Sequence, residues 1–346
     1  MSAAARWTAA LALVLLAAGC TPSQVSPASE AASPTMHENT LLTSDGLRLP
    51  LREWLPEGGQ PNAVVIALHG FNDHSNFFDG IGRWLAAREI ASYAYDQRGF
   101  GAAPGRGVWP GTAALTGDLG AAVEAVRARH PGVPVTLFGE SMGGAVVMVA
   151  LAAPDPPAVD GAILAAPAVW GRSTMPWYQT LALWAAARTF PSSRLSGAGL
   201  GIAPSDNIEM LRALGRDPLV IKQTRVDAVW GLVNLMDEAM AAAPSLGGSV
   251  LVLYGERDEL IPPDAMGKML ARLPASPRHR VAIYPDGWHM LIRDRQAETV
   301  WRDIEAWITD SDAPLPSGAD GRTAGYVAAG HAEVGESSPR PAEVAF

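Results

Sequence analysis

Residues 133–151 read Val133-Pro134-Val135-Thr136-Leu137-Phe138-Gly139-Glu140-Ser141-Met142-Gly143-Gly144-Ala145-Val146-Val147-Met148-Val149-Ala150-Leu151. The first six residues are a short apolar run, the pattern of a strand buried on both faces. From Gly144 onward the composition suits a buried helix. Between the two lies Gly-x-Ser-x-Gly. A strand that turns directly into a helix leaves room only for small residues beside the turn, and it forces the central serine into strained dihedrals that expose its oxygen. The same serine then stands at a helix N-terminus, which favours a developing negative charge. Gly-x-Ser-x-Gly is common by chance. The strand before it and the helix after it make Ser141 a candidate nucleophile in an elbow.

Outward from the elbow, short apolar runs alternate with helical patterns. Ala63–Leu68, Ile90–Tyr95, Gly161–Ala166, Ser249–Tyr254 and Arg280–Tyr284 read as strands, and 47–54 alternates apolar and polar as an edge strand would. Leu119, Ala122, Val123 and Val126 recur at helical spacing, as do Val300, Trp301, Ile304 and Trp307. This alternation predicts an α/β fold with a mostly parallel, doubly wound sheet. One stretch breaks the rhythm. From Ala168 to about Pro244 there is no convincing strand, and the helical pattern carries Trp170, Trp177, Tyr178, Trp184, Phe190 and Trp230. It reads as a helical cap inserted into the sheet domain, over about 168–244.

The ends of the chain read differently from its middle. Arg6, an apolar run over 9–18 and Gly19-Cys20 resemble a bacterial lipoprotein signal, with Cys20 as the lipidated residue. The large aliphatic residue, Leu16, stands one position further from Cys20 than that pattern usually places it. Plain secretion is the alternative, and the run is too short to span a membrane comfortably. The expected organisation is a signal peptide over 1–20, a Pro/Ser/Ala-rich linker over 21–36, a folded domain over 37–311 and a disordered tail over 312–346. The expected location is the bacterial cell envelope, through an N-terminal lipid anchor to the membrane. Cys20 is the one cysteine of 346 residues, so no intramolecular disulfide forms. The net charge of −9 repels phosphate backbones and disfavours general nucleic-acid binding.

A serine hydroxyl needs a base, and the base needs an orienting carboxylate. In a fold with this elbow the chain order is serine, acid, histidine. Of the seven histidines, His331 falls in the expected tail. His289 lies just past the last strand. After the preceding strand, Gly255-Glu256-Arg257-Asp258-Glu259 offers Asp258, with Glu256 and Glu259 as solvated charges and Asp286 as a rival near His289 in sequence. An oxyanion hole needs two backbone N–H donors. Met142, directly after the nucleophile, supplies one, and Phe71, in the His69-Gly70-Phe71 turn after Leu68, supplies the other. His69 reads as a brace for that turn, and the segment 96–101 as a stabiliser of loops.

Leu68-His69-Gly70-Phe71, Asp96-Gln97-Arg98-Gly99-Phe100-Gly101, Gly139-Glu140-Ser141-Met142-Gly143-Gly144, Gly255-Glu256-Arg257-Asp258 and Trp288-His289 together resemble the monoacylglycerol lipase/lysophospholipase group of α/β-hydrolases, the serine aminopeptidase S33-type group, over about residues 40–310. The resemblance implies a Ser141–His289–Asp258 triad, an oxyanion hole at Phe71 and Met142, a cap over an acyl pocket, and a carboxylic ester substrate such as a monoacylglycerol or lysophospholipid. It implies no metal or cofactor. Phe71-Asn72-Asp73 departs from the smaller residues common after the turn, so a bulky Phe71 is expected to narrow the acyl site. A peptidase or a C–C bond hydrolase would use the same triad. A non-catalytic envelope lipid-binding protein, or an interaction protein working through its tail, would not need it.

Overall fold

The computed structural model describes residues 32–197, 199 and 201–322. The signal segment expected over 1–20, Cys20, most of the linker expected over 21–36 and residues 323–346 lie outside the described residues.

In chain order the strands are β1 (Thr35–His37), β2 (Thr40–Leu42), β3 (Arg48–Trp54), β4 (Ala63–Leu68), β5 (Ile90–Tyr95), β6 (Val135–Glu140), β7 (Gly161–Ala165), β8 (Arg194–Ser196), β9 (Gln223–Arg225), β10 (Ser249–Gly255) and β11 (His279–Tyr284). Nine of them form one sheet in the order β1-β2-β3-β5-β4-β6-β7-β10-β11. From β5 to β11 all pairings are parallel, while β1, β2 and β3 add an antiparallel edge. The helices are α1 (Asp79–Ala86), α2 (Thr112–Arg129), α3 (Met142–Leu151), α4 (Trp177–Thr189), α5 (Ile208–Arg216), α6 (Val226–Ala242), α7 (Pro263–Leu270) and α8 (Ala297–Thr309).

The strands are apolar throughout because both sheet faces are covered. On β4, Val64, Ile66 and Leu68 face one core together with Leu137, Val146 and Val252. Val65 and Ala67 face the other, with Phe78, Phe138, Leu253 and Trp307. The connection from β4 runs outward to β5, and the chain then returns to place β6 on the other side of β4. Such a reversal opens a crevice at the carboxyl ends of the strands. Leu68 at the end of β4 is paired with Gly139 at the end of β6. The turn after Leu68 and the serine elbow therefore sit side by side at this crevice.

The cap differs from its sequence reading in two respects. It contains a two-stranded antiparallel ribbon, β8 paired with β9. Arg-Leu-Ser and Gln-Thr-Arg have no apolar run to announce a strand. Secondly, α6 belongs to the core as much as to the cap. Its Val233, Leu235, Met236, Ala239 and Met240 are buried in the same cluster as Ala145–Met148 of α3.

The domain is also longer than 37–311. At its start, β1 begins at Thr35 within the expected linker. At its end, Leu315 and Ala319 are buried against the core of α8. Ser317 donates to Asp303 through both its N–H (2.9 Å) and its hydroxyl (2.5 Å), and Arg280 donates to Asp312 O at 2.9 Å. The Pro/Ser/Gly composition of 312–322 reflects a packed irregular strap. The expected disordered tail therefore begins too early by these residues. Among the described residues no helix is long and apolar enough to cross a membrane.

Candidate active site

Ser141 stands between β6 and α3 with φ 53° and ψ −114°. This is a left-handed conformation that a side chain adopts only under constraint. The constraint is visible. Ser141 N–H donates to Ala165 O of the neighbouring strand at 2.9 Å, and Ser141 O accepts from Ala168 N–H at 2.9 Å. Gly143 explains why the elbow needs a small residue after the serine. A Cβ there would stand 2.2 Å from Leu68 O, so α3 could not start this close to β4. The turn after β4 passes directly over the nucleophile, with a Cβ placed on Gly70 only 3.4 Å from Ser141 Cβ.

His289 and Asp258 meet as expected. The His289 Nδ1–H donates to Asp258 Oδ2 at 2.8 Å, and both side chains are buried. Asp258 Oδ1 accepts from the N–H groups of Leu260 (2.7 Å) and Ile261 (2.9 Å). The carboxylate is thus held from both oxygens, and the bond to Nδ1 leaves the Nε2 lone pair of a neutral His289 free to take a proton. Burial alone would depress the His289 pKa. The charge and hydrogen bond of Asp258, with a contribution from Glu140, outweigh burial and raise it. Ser141 Oγ is not hydrogen-bonded to the ring here, an arrangement common before a substrate closes the site. Asp286, the rival acid, is an exposed residue paired with Arg257. Glu256 is exposed, and Glu259 accepts from Ala203 N–H at 2.7 Å.

The oxyanion candidates lie on the two sides of the crevice. Met142 is the first residue of α3, and Phe71 follows Gly70 in the turn after β4. The Phe71 ring leans on Phe100 (centroids 5.6 Å apart) and Trp109 (6.3 Å). His69 braces this turn. Its Nδ1–H donates to Gly70 O at 2.8 Å, its Nε2 accepts from Gln97 N–H at 3.0 Å, and Gln97 Nε2 donates to His69 O at 2.7 Å. Burial lowers the His69 pKa, which keeps the ring neutral as this bonding requires. Asp96 accepts from Ser75 and Ala102 N–H groups, and Arg98 binds Asp45 and Asp118. The segment 96–101 is thus a loop stabiliser. A cavity of about 800 Å³ lies between α2 and α6, beside Trp109 and Arg98, and Ser141, Asp258 and His289 do not line it. Among the described residues no cluster of His, Cys, Asp and Glu is arranged to hold a metal ion.

The profile of the family described as "Serine aminopeptidase, S33" matches residues 59–296. The chain belongs to this family. It is a serine ester hydrolase of the α/β-hydrolase fold. Among curated relatives, the chain is 27% identical to the monoglyceride lipase of Homo sapiens over 79% of this chain and 90% of that one. It is 26% identical to the monoacylglycerol lipase of Mycolicibacterium smegmatis over 80% and 98%. Among solved structures, a soluble variant of the monoglyceride lipase of Saccharomyces cerevisiae superposes with a TM-score of 0.66 at 20% identity, covering 85% of this chain and 99% of that one.

Two features of this S33 member's site have no local signal in its sequence. One is the support of the base loop by the cap. Asp294 accepts from Trp288 N–H (2.8 Å) and from Ser205 Oγ (2.6 Å), and Met290 N–H donates to Pro204 O at 3.0 Å. Burial pushes the Asp294 pKa up to about 7. The other is Arg293, which reaches both Asp73 and Glu140.

Proposed function

We propose that this hydrolase cleaves the ester bond of a monoacylglycerol or lysophospholipid by two-step acyl transfer at Ser141. The observation that carries the reading is the buried His289–Asp258 pair, taken with the strained Ser141 and the turn bearing Phe71 that packs on it. His289 Nε2 takes the Ser141 proton as the oxygen attacks the ester carbonyl. Asp258 offsets the charge of the imidazolium. The N–H groups of Phe71 and Met142 receive the oxyanion, each such donor being worth about 3 kcal/mol of barrier. His289 then protonates the leaving alcohol, and water repeats the cycle on the acyl-enzyme. No step calls for a metal or cofactor.

The lipid substrate is supported by the names of the curated relatives and by the surface of α4. Of its thirteen residues only Ala187 is buried, and Trp177 is 76% exposed, with Tyr178, Leu181 and Trp184 also exposed. A contiguous apolar surface of this kind suits an apolar substrate or the interface that holds it. The test is a chain-length series of p-nitrophenyl esters and monoacylglycerols, with a peptide p-nitroanilide alongside. Preference for long acyl chains and loss of activity in Ser141→Ala support the proposal. Preference for C2–C4 esters would overturn the lipid substrate, and equal rates in wild type and Ser141→Ala would overturn the mechanism. We further propose a lipid anchor at Cys20 in a bacterial envelope. Labelling with a palmitate analogue that persists in Cys20→Ser would sink that idea.

A further inference from the structure

Behind the nucleophile, three charged side chains from three separate segments meet. Arg293 Nη1 donates to Asp73 Oδ2 at 2.7 Å, and its Nη2 donates to Glu140 Oε1 at 2.5 Å. The side chains of Arg293, Asp73 and Glu140 are only 10%, 8% and 2% exposed. The guanidinium carbon lies 5.8 Å from the centre of the Phe77 ring, and Asp73 Oδ1 accepts from His74 N–H at 2.8 Å.

Stability is a poor reason for this cluster. Stripping water from three charges costs about as much as their attraction returns, and apolar residues of similar volume often do as well. Here Arg293 Nε and Glu140 Oε2 are left buried without partners, which makes the cluster dearer still. What the three residues share is the place of their segments. Asp73 is two residues beyond Phe71, Glu140 directly precedes Ser141, and Arg293 is four residues beyond His289. These segments carry one oxyanion donor, the nucleophile with the other donor, and the base. The planar fork of arginine donates to two carboxylates in fixed directions, which a lysine cannot do.

We propose that Arg293 is a positioning residue that clamps the Phe71 turn, the Ser141 elbow and the His289 loop into one register, so that the two oxyanion donors stand at a fixed separation. The proposal rests on the reading of Ser141, His289 and Asp258 given above. The clamp also sets the field at the base. The charged groups facing His289 are Asp258 from the loop after β10, Glu140 from the end of β6 and Arg293 from its own loop. Glu140 favours the imidazolium, and Arg293 opposes it.

Position and charge are separable by substitution. Arg293→Lys keeps the charge and loses the fork. With p-nitrophenyl butyrate its kcat should fall about 10- to 100-fold, the scale set by a displacement of about 1 Å. Its KM and the acid limb of its pH profile should stay at wild-type values. Glu140→Gln keeps the shape and removes the charge, so its acid limb should move to lower pH. Rates are expressed per active site titrated with a fluorophosphonate, which corrects for unfolded protein. Should Arg293→Lys fail to fold, Asp73→Asn carries the same expectation of lower kcat with an unmoved limb. Wild-type kcat per site in the folded variant would overturn the clamp, and an unmoved limb in Glu140→Gln would overturn the part given to its charge. A wild type that neither reacts with the fluorophosphonate at Ser141 nor hydrolyses the ester would overturn the catalytic reading instead.

Discussion

The carboxyl edge of the sheet and the cap above it are built on opposite principles. At the sheet edge, backbone approaches backbone. Gly143 meets Leu68 O, Ser141 is bonded to Ala165, and Asp258, Glu140 and Arg293 are buried in ion pairs. In the cap, α4 lays a single buried residue against the rest and turns Trp177, Tyr178 and Trp184 outward. The first region has one packed arrangement, and the chemistry needs that. The second holds its exposed aromatics with little packing beneath them. In the function proposed above, reaction type belongs to the sheet edge and substrate choice to the cap.

The comparison breaks most visibly at the sheet edge. Asp258→Asn should lower kcat by about 10⁴-fold while leaving KM within a few-fold, because the wrong tautomer of His289 would then face Ser141. Steady-state kinetics on a water-soluble ester measures this. A loss of under ten-fold would mean that another carboxylate orients the base.

Next in size is the strap over 312–322, which supports the sheet from outside the site. Leu315→Ala should cost about 2–5 kcal/mol in denaturant unfolding, the range for a fully buried leucine. Its kcat per folded molecule should not change, since the strap packs on α8 and β11. An unchanged midpoint would show that the strap is not part of the cooperative core.

The pH profile tests the electrostatics of the edge. Only neutral His289 can act as base. Its pKa is raised above the ordinary 6.5, chiefly by Asp258 working against burial. Activity should therefore be full at alkaline pH and be lost as pH falls through a limb lying above 6.5. A limb below 6.5 in kcat/KM would mean that burial wins over Asp258.

The same division governs what could be read from the chain. Ser141, Asp258 and His289 sit in turns whose residue types are dictated within a few positions, so strand-turn-helix order was enough to single them out, and His289 and Asp258 do meet. His69 and the segment 96–101 were legible as braces for the same reason. Arg293 was not, because its two partners lie 153 and 220 residues away in sequence and no local pattern marks such a pairing. The strap over 312–322 was misread because buried Leu315 and Ala319 are isolated among Pro, Ser and Gly. The α6 helix looked like cap because its apolar face carries no sign of which surface it will meet.

The smallest effect, and the one that decides whether the cap does what its surface suggests, is expected at Trp177 and Trp184. Both stand on α4, 76% and 46% exposed, so replacing either by Ser should shift stability by no more than about 0.5 kcal/mol. Hydrolysis of soluble p-nitrophenyl acetate should stay within about two-fold, since neither ring supports the sheet edge. Hydrolysis of a long-chain monoacylglycerol presented in micelles should fall by about five- to ten-fold, the loss of about 1–1.5 kcal/mol that partial burial of one aromatic side chain supplies. Equal losses on both substrates would place α4 in the machinery of the reaction and dissolve the division. Equal retention on both would leave the exposed aromatics without a part in substrate capture and would point for the acyl site to half-buried Phe71, which leans on buried Phe100 and Trp109.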